Sequence, residues 1–298
     1  HRDLHSFPTR RSSDLVYQRT DGIWELVDGL QRISTILEFM NILKEKQPVP
    51  LEGTENLPSL KDLIWEKLPM TLKLQFKRSK IDVKIITKES DVNAKFDVFE
   101  RINTGGSFLS EQEVRNSLLI MLNKNIYNWI KDLSEYPNFK NCISISDRLI
   151  SEQYDTELVL RYLSILKFNY DRQDISSFLS YSLKLIVKEG VIDLELEGTN
   201  FKKLFDILST ALGDNCFKKY DFVKNEFRGK FLESAFESIT YGLGYHIDYY
   251  TDSKSELVKE KIIAMWQNEA FTNYSGSGSN AKTRIPNLIK FAYEYFRI

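Results

Sequence analysis

The stretch Ile23–Arg32, with the sequence IWELVDGLQR, joins a predicted strand to a predicted helix through one glycine-containing turn. Its first part, 23–27, is rich in aromatic and β-branched residues, which favour strands. Asp28-Gly29 ends that pattern. Apolar residues then recur at positions 33, 36, 37, 40 and 43, the spacing of one helical face. We therefore predict a strand–turn–helix unit here.

The segments on either side of this unit extend the predicted sheet and add helices. Val16–Val27 as a whole predicts a short β element, and Ile81–Thr87 alternates between apolar and polar residues as a strand does. Leu60–Lys77 has a helical pattern that Pro69 should break or kink. Val92–Ile102 predicts a further helix.

Beyond about residue 135 the sequence predicts helices without strands. Ser110–Glu113 and Ser253–Glu256 match the capping box that opens a helix, and Pro286 suits a first helical turn. Strands followed by helices indicate an α+β chain that is predominantly α. We expect an α/β domain over 16–135 and an all-α helical region over 136–298. Helical spacing recurs over 155–168, 175–188, 200–212, 230–243, 253–268 and 286–296.

The composition excludes several classes of protein. The 298 residues carry 41 Lys and Arg against 42 Asp and Glu, for a net charge of −1, which argues against a nonspecific, strongly basic nucleic-acid coater. Two cysteines are too few for a disulfide framework and favour the reducing cytoplasm. No apolar run approaches the roughly 20 residues of a membrane helix, so we expect no membrane association.

The first fifteen residues look foreign to the rest of the chain. His5–Leu15, HSFPTRRSSDL, resembles the in-frame translation of a common DNA sequencing adapter. A disordered basic leader is the alternative. We treat 1–15 as a non-native, disordered leader and exclude it from the fold. His246 is then the only native histidine, which argues against a zinc site of the usual kinds and against a His-Asn-His nuclease centre.

The turn at Asp28-Gly29 is the strongest candidate for a ligand site. A glycine after a strand lets the backbone turn tightly, and the helix that follows offers free N–H groups and a positive dipole end that suit phosphate. Arg32, in the first helical turn, can bind phosphate in bidentate fashion. A purely structural alternative stays open, in which Asp28 caps the helix, Gly29 makes the turn and Arg32 is a surface residue.

A second segment, Phe99–Gly106 with the sequence FERINTGG, also has both a functional and a structural interpretation. Its glycines and Thr104 can form a nest of backbone N–H groups facing phosphate, or they can simply end a helix and open a loop. Neither segment is a Walker loop, because no Gly-Lys-Ser/Thr follows at the required spacing.

Together the two segments resemble the ParB-like N-terminal domain of GmrSD-type (type IV, modification-dependent) restriction and phage-defence proteins. That family carries Asp-Gly-Gln-Gln-Arg after a strand and a downstream Phe-x-x-Ile/Leu-Asn-Thr-Gly-Gly-x-x-Leu. This chain has Asp28-Gly29-Leu30-Gln31-Arg32, then Phe99–Leu109 in the same pattern and an acidic Glu113. Leu30 replaces the first glutamine of the motif. The family's upstream Gln-Arg-x-x-x-Trp element is not recognisable, so we expect the N-terminal part of the domain to be missing.

The resemblance implies nucleotide binding and hydrolysis linked to DNA restriction. Asp28 would orient Mg²⁺ or water as the metal-site acid, and Gln31 and Arg32 would contact phosphate, so that these three form the catalytic set. The implied ligands of the nucleoside triphosphate are Gly29, Arg32, Arg101, Asn103, Thr104 and Gly105.

Three functional hypotheses follow for this prokaryotic defence-type protein. The first is a nucleotide-hydrolysing enzyme, with direct nuclease action as a variant of it. The second is a non-catalytic nucleotide- or nucleic-acid-sensing module that signals to a partner nuclease. The third is a structural protein with an inactive motif, which the substitution at Leu30 favours. DNA, nucleotide and a partner nuclease are the expected partners.

Overall fold

The computed structural model describes residues 14–19, 21–43, 49–52, 57–87, 110–171, 174–188, 191–276 and 280–298. The chain divides into two compact units, residues 1–106 and 107–298. The first unit holds a small sheet with short helices, and the second is mostly helical. The predicted α+β, predominantly α class is therefore confirmed.

Three strands form the sheet of the first unit. They are β1 (Asp14–Gln18), β2 (Trp24–Asp28) and β3 (Val83–Ile86), in the order β2–β1–β3. β1 pairs antiparallel with β2 and parallel with β3. The turn between β1 and β2 contains Gly22, whose φ of 83° lies in the left-handed region that glycine adopts without strain. The strands predicted around 16–27 and 81–87 are confirmed.

The start of β1 corrects the predicted extent of the disordered leader. Asp14 and Leu15, the last two residues of that segment, lie in β1, while residues 1–13 lie outside the described part of the chain. Backbone pairing explains the difference, because the N–H of Asp14 donates to the carbonyl of Asp82 at 3.2 Å and Leu15 lies opposite Asp28. The sheet thus uses residues on both sides of the predicted boundary at 15/16.

The helices of the first unit pack through aromatic rings. Helix α1 (Leu30–Phe39) follows β2, and α2 (Met70–Lys77) begins directly after Pro69, as predicted from the proline. Phe39, Trp65 and Phe76 meet edge to face with centroid separations of 5.6 to 5.8 Å, which ties α1, the turn around residue 65 and α2 together. The helix predicted over 92–102 lies outside the described residues.

The second unit is built from helices in close succession. They are α3 (Glu111–Leu122), α4 (Lys124–Ser134), α5 (Pro137–Ile143), α6 (Asp147–Ser151), α7 (Tyr154–Lys167), α8 (Ile175–Ile186), α9 (Leu194–Ala211), α10 (Glu233–Tyr245), α11 (Ser255–Met265), α12 (Glu269–Ser275) and α13 (Ala281–Tyr295).

Helix α7 lies at the centre of this unit. Most of its residues are buried, polar ones included, and it packs against α4, α8 and α10. α10 packs closely on α13 because Gly242 has no side chain there. A Cβ at Gly242 would lie 2.3 Å from a ring carbon of Phe296 and 2.8 Å from the carbonyl oxygen of Ala292. The helical region therefore has a tightly packed core.

Two features of this unit differ from the sequence predictions. A hairpin, β4 (Lys219–Asp221) with β5 (Glu226–Arg228), interrupts a stretch predicted to lack strands. In its turn, the carboxylate of Asp221 accepts hydrogen bonds from two backbone N–H groups. Asn225, and not a glycine, adopts the left-handed backbone conformation. Pro286 lies inside α13 and not in its first turn, because Asn280 caps the helix earlier.

The two predicted capping boxes have opposite outcomes. At Ser110 the hydroxyl accepts from the backbone N–H of Glu113 at 3.2 Å, and the Glu113 carboxylate accepts from the N–H of Ser110 at 2.7 Å. This box is confirmed. At Ser253 the prediction is wrong, because a short 3₁₀ turn over Asp252–Lys254 precedes α11, whose cap position, Lys254, makes no side-chain cap hydrogen bond.

The two compact units divide the chain between residues 106 and 107. The boundary at 135/136 between an α/β domain and a helical region stays a prediction. Helix α3 packs against α4, α7 and α8, so it forms part of the helical unit. The capping box at Ser110–Glu113 predicted the start of α3 but not the helices against which it packs.

Candidate functional site

The turn between β2 and α1 is formed by Asp28 and Gly29. Asp28 is the last residue of β2, and Gly29, with φ 95° and ψ 12°, is the N-cap of α1. This backbone conformation is left-handed, so glycine is the residue that adopts it at least cost. The structural alternative in which Asp28 caps the helix is therefore wrong, since Gly29 occupies that position.

Arg32 is held at the start of α1 by an acid from β1. Its Nε and Nη2 lie 2.7 and 2.5 Å from the same carboxylate oxygen, Oδ1 of Asp14. The Asp14 side chain is only 7% exposed, whereas that of Arg32 is 45% exposed. A buried carboxylate thus orients a guanidinium whose side chain still reaches solvent, an arrangement that suits anion recognition.

Gly29 lies directly against this ion pair. A Cβ at Gly29 would lie 2.2 Å from Oδ1 of Asp14 and 3.1 Å from Nη2 of Arg32. The absence of a side chain at this position therefore allows the acid, the arginine and the helix start to approach one another. Asp14 was missed by the sequence analysis because it fell within the presumed leader.

The electrostatics of the α1 start also favour an anion. Gly29 provides no side-chain cap, and the first turn of α1 contains no acidic residue. The acid beside the positive end of the helix dipole is Asp14 of β1, which lies against Gly29 and is paired with Arg32. Phosphate binds at such helix starts through backbone N–H groups together with a nearby cation.

The other predicted site residues lie outside what the structure describes. Asp28 and Gln31 are placed in β2 and α1 by their backbones, but their side chains are outside the described part. The whole second motif, with Arg101, Asn103, Thr104, Gly105 and Gly106, lies outside it as well. Among the described residues, no group of three or more His, Cys, Asp or Glu side chains is placed to hold a metal ion. The structure thus brings together Gly29 and Arg32 and adds Asp14.

The second unit contains a buried network of arginines and glutamates that the sequence analysis missed. We call it the charge network, and it spans α3, α7, α10 and α13. Arg161 is its centre, with nitrogens 2.8 Å from Glu157, 2.9 Å from Glu233 and 3.1 Å from Glu237. The other members are Arg115, which binds Glu157 at 2.8 Å, and Arg284, which binds Glu237 at 2.8 Å.

The charge network changes the protonation of its members. Burial opposes ionisation of Glu233, but Arg161 and the hydroxyl of Tyr154 more than compensate and lower the pKa of Glu233 to about 2. Burial raises the pKa of Tyr154 well above its ordinary value, so this phenol stays protonated and donates to Glu233 at 2.7 Å. The network is therefore a set of alternating charges in which each glutamate is paired with at least one arginine.

This network corrects the sequence reading of Arg284. From the sequence, the polar stretch 275–279 followed by Lys282, Thr283 and Arg284 predicts a basic loop that could touch phosphate or DNA, with a solvated linker as the alternative. Arg284 lies instead in α13, where Nε donates to Glu237 at 2.9 Å and Nη2 contacts Glu233 at 3.2 Å. Its side chain is 12% exposed, so its role in this structure is internal pairing.

Other reactive side chains of the second unit are also buried. His246 contacts the carbonyl oxygen of Tyr293 at 2.8 Å and is 7% exposed, as expected for a satisfied histidine rather than a catalytic one. Cys142 and Cys216 are free and buried, and burial, together with a hydrogen bond to Cys142, raises the pKa of Cys216 well above its ordinary value. A high thiol pKa makes Cys216 a poor nucleophile.

The β2–α1 turn lies in a region of the chain that matches a known protein family. Residues 13–120 match the family model of the GmrSD restriction endonuclease N-terminal domain. The range includes β1, β2, α1 and both sequence motifs, so the resemblance inferred from those motifs is confirmed. Searches of curated proteins and of solved structures found no match. Within the described residues, no helix is long and apolar enough to span a membrane.

Proposed function

We propose that this restriction-related chain binds a nucleoside triphosphate at the β2–α1 turn and hydrolyses its phosphoanhydride bond as part of a DNA-restriction system. The observation that carries the proposal is the position of Arg32, which is half exposed in the first turn of α1 and oriented by buried Asp14. Its place inside the segment that matches a restriction-type domain supports the link to DNA. The free cysteines are in keeping with a cytoplasmic location.

The residues of the turn have distinct roles in this proposal. Gly29 leaves room for the Asp14–Arg32 ion pair beside the start of α1, and the first N–H groups of α1 are proposed to bind phosphate oxygens. Arg32 neutralises the negative charge that builds up on the transferred group. Gln31 is proposed to contact phosphate or the attacking water, as the resemblance implies.

Asp28 is the proposed acid for Mg²⁺ or for water. Magnesium in nucleotide sites is commonly held by one or two carboxylates together with the phosphates of the nucleotide and water. One acid at the turn fits that pattern, and the lack of a three-acid cluster among the described residues does not conflict with it. When bound, Mg²⁺ would neutralise phosphate charge. Arg101, Asn103, Thr104 and Gly105 remain proposed supporting ligands.

A non-catalytic sensing module is the second candidate. The contact that favours it is the pairing of Arg32 with Asp14, because a guanidinium already bound to an acid can recognise phosphate without promoting its transfer. In this case nucleotide binding would be signalled to a partner nuclease. Turnover and binding must therefore be measured separately.

The test measures phosphate release and nucleotide binding for the unmodified chain and for Arg32→Ala and Asp28→Ala, with each of four nucleoside triphosphates and Mg²⁺. Arg19→Ala is the matched control, because Arg19 is also 44% exposed in the first unit but pairs with Asp21 and Glu25 at the β1–β2 turn. We expect Arg32→Ala to reduce turnover by roughly 10²-fold, the usual effect of losing one charge-stabilising group, and Arg19→Ala to leave it unchanged.

The outcomes separate the candidates. Turnover that disappears in both test variants supports the enzyme. Binding by the unmodified chain without any turnover contradicts the enzyme and supports the sensing module. If no triphosphate binds, both candidates are wrong and the motif is structural.

A further inference from the structure

The second unit contains a polar cavity. It has a volume of about 480 Å³, within the range of small-molecule sites, roughly 300–1,000 Å³. Its lining combines apolar walls from Ile120 and Ile150 with the ring of Tyr127 and with polar groups from α3, α4 and α7. Two of these polar groups, Asn116 and Asp155, are more than nine-tenths buried. Buried polar side chains facing a cavity normally require partners.

Asp155 supplies a hydrogen-bond acceptor to this cavity. Its hydrogen bonds within the described part of the chain come from Thr156, whose N–H and hydroxyl donate to Oδ1 at 2.9 and 3.4 Å. No described side chain donates to Oδ2. Burial raises the pKa of Asp155, and neither the hydrogen bond from Thr156 nor the charge of Lys140 offsets this effect. The second oxygen is therefore available to a ligand that donates N–H groups.

Asn116 supplies a donor whose orientation is fixed by its neighbours. The Nε of Arg115 can only donate, and it donates to Oε1 of Gln112 at 2.8 Å. Gln112 must then present Nε2, which donates to Oδ1 of Asn116 at 2.9 Å. The Nδ2 group of Asn116 is consequently left as a donor. The buried guanidinium of Arg115 therefore fixes the orientation of the Gln112 amide, which in turn fixes that of the Asn116 amide.

The ionisable side chains that line the cavity are mostly acidic, which disfavours anionic ligands. Its lining includes Glu113, Glu135 and Asp155 but only Lys131 as a cation. A neutral ligand with an N–H donor edge and an adjacent carbonyl acceptor therefore suits it better than a phosphorylated one. Among common planar ligands, guanine has this edge, with N1–H and N2–H₂ as donors beside the O6 acceptor, and its ring can stack on an aromatic side chain.

We propose that this cavity binds a guanine base, with Asp155 accepting from N1–H and N2–H₂, Asn116 donating to O6 and Tyr127 against the ring. The site is independent of the proposed phosphate site. A nucleoside without phosphates therefore tests it alone, and a negative result there leaves the triphosphate proposal unaffected.

The test titrates the full chain with guanosine, inosine, 1-methylguanosine and adenosine by calorimetry or ligand-observed NMR. We expect guanosine to bind, and inosine, which lacks the N2 amino group, to bind about tenfold more weakly, the equivalent of one hydrogen bond. 1-Methylguanosine loses a donor and gains a clash. Adenosine presents a different pattern of donors and acceptors, so neither should bind measurably.

Asp155→Asn provides the matching change in the protein. It should weaken guanosine binding by about tenfold to a hundredfold, whereas Asp147→Asn, an exposed acid outside the cavity, should not. Circular dichroism establishes that both variants are folded, and the nucleoside series on the unmodified chain does not depend on either variant. Equal binding of guanosine and adenosine, or no guanosine binding at millimolar concentration, would overturn the proposal.

Discussion

Replacing Arg161 with methionine should strongly destabilise the helical unit. The Arg161 side chain is 3% exposed and pairs with Glu157, Glu233 and Glu237. Removing one partner of a buried ion pair costs about 3–5 kcal/mol, because the remaining charge is left buried without compensation. That is a large fraction of the total stability of a domain, which is about 5–15 kcal/mol.

The structure places the expected loss near the lower end of that range. Glu237 keeps two hydrogen bonds from Arg284, at 2.9 and 2.8 Å, and Glu157 keeps one from Arg115 at 2.8 Å. In addition, Nε of Arg161 is buried without an acceptor among the described residues, so methionine relieves one existing cost. We therefore expect a loss of about 3 kcal/mol in the free energy of unfolding.

Urea unfolding followed by far-ultraviolet circular dichroism measures this loss. Arg148→Met is the matched control, because Arg148 is 79% exposed and its nitrogen is 3.6 Å from Glu152, a surface pair worth about 0–1 kcal/mol. Adding Glu237→Gln to Arg161→Met should restore part of the stability, since it removes one negative charge where three glutamates would otherwise face two arginines. A loss below about 1 kcal/mol in Arg161→Met would refute the view that the network is a mutually dependent unit.

Three further predictions concern single positions. Gly29→Ala should cost more stability than Gly22→Ala, by about 1–3 kcal/mol in urea unfolding, because both have positive φ but only Gly29 would bring a Cβ within 2.2 Å of another side chain. Ser110→Ala should cost about 1 kcal/mol and Ser253→Ala almost nothing, since only the first closes a capping box. Glu233→Gln should lower stability at neutral pH. The difference in unfolding free energy between this variant and the unmodified chain should shrink between pH 4.5 and about 2. The reason is that an acid with a depressed pKa stabilises the folded state above its ordinary pKa and loses that stabilisation as it is protonated. Since Glu233 is 41% exposed, the size of this effect should be about 1 kcal/mol or less in pH-dependent unfolding.

The features that the sequence predicted correctly depend on neighbouring residues. The strand–turn–helix at 23–32 follows from β-formers, one glycine and helical spacing. The break at Pro69 and the capping box at Ser110–Glu113 are equally local. In each case the residues that decide the structure lie within one or two turns of one another. Such features can be predicted before any tertiary contact is known.

The missed features depend on contacts between distant segments. The parallel pairing of β1 with β3 joins residues around 14–17 to 83–86, so nothing near Asp14 indicated that it would be a buried strand residue. The charge network joins residues from 115 to 284. Its spacing is partly visible, since Glu157 and Arg161 lie four apart, but that spacing is equally typical of an exposed helix face. Burial alone distinguishes the two, and burial is a tertiary property.

Arg32 and Arg161 lie in different environments. For this reason we propose a functional role for the β2–α1 turn and a stabilising role for the charge network. Arg161 has three acidic partners and almost no exposure, so a ligand could reach it only if the helical unit opened. Among the described residues, Arg32 pairs with the buried acid Asp14, and 45% of its side chain is exposed. In the proposed function a phosphate reaches Arg32 from solvent, while Asp14 limits the directions in which the guanidinium can point. Orientation by a buried acid, with access from solvent, is what anion recognition requires of an arginine.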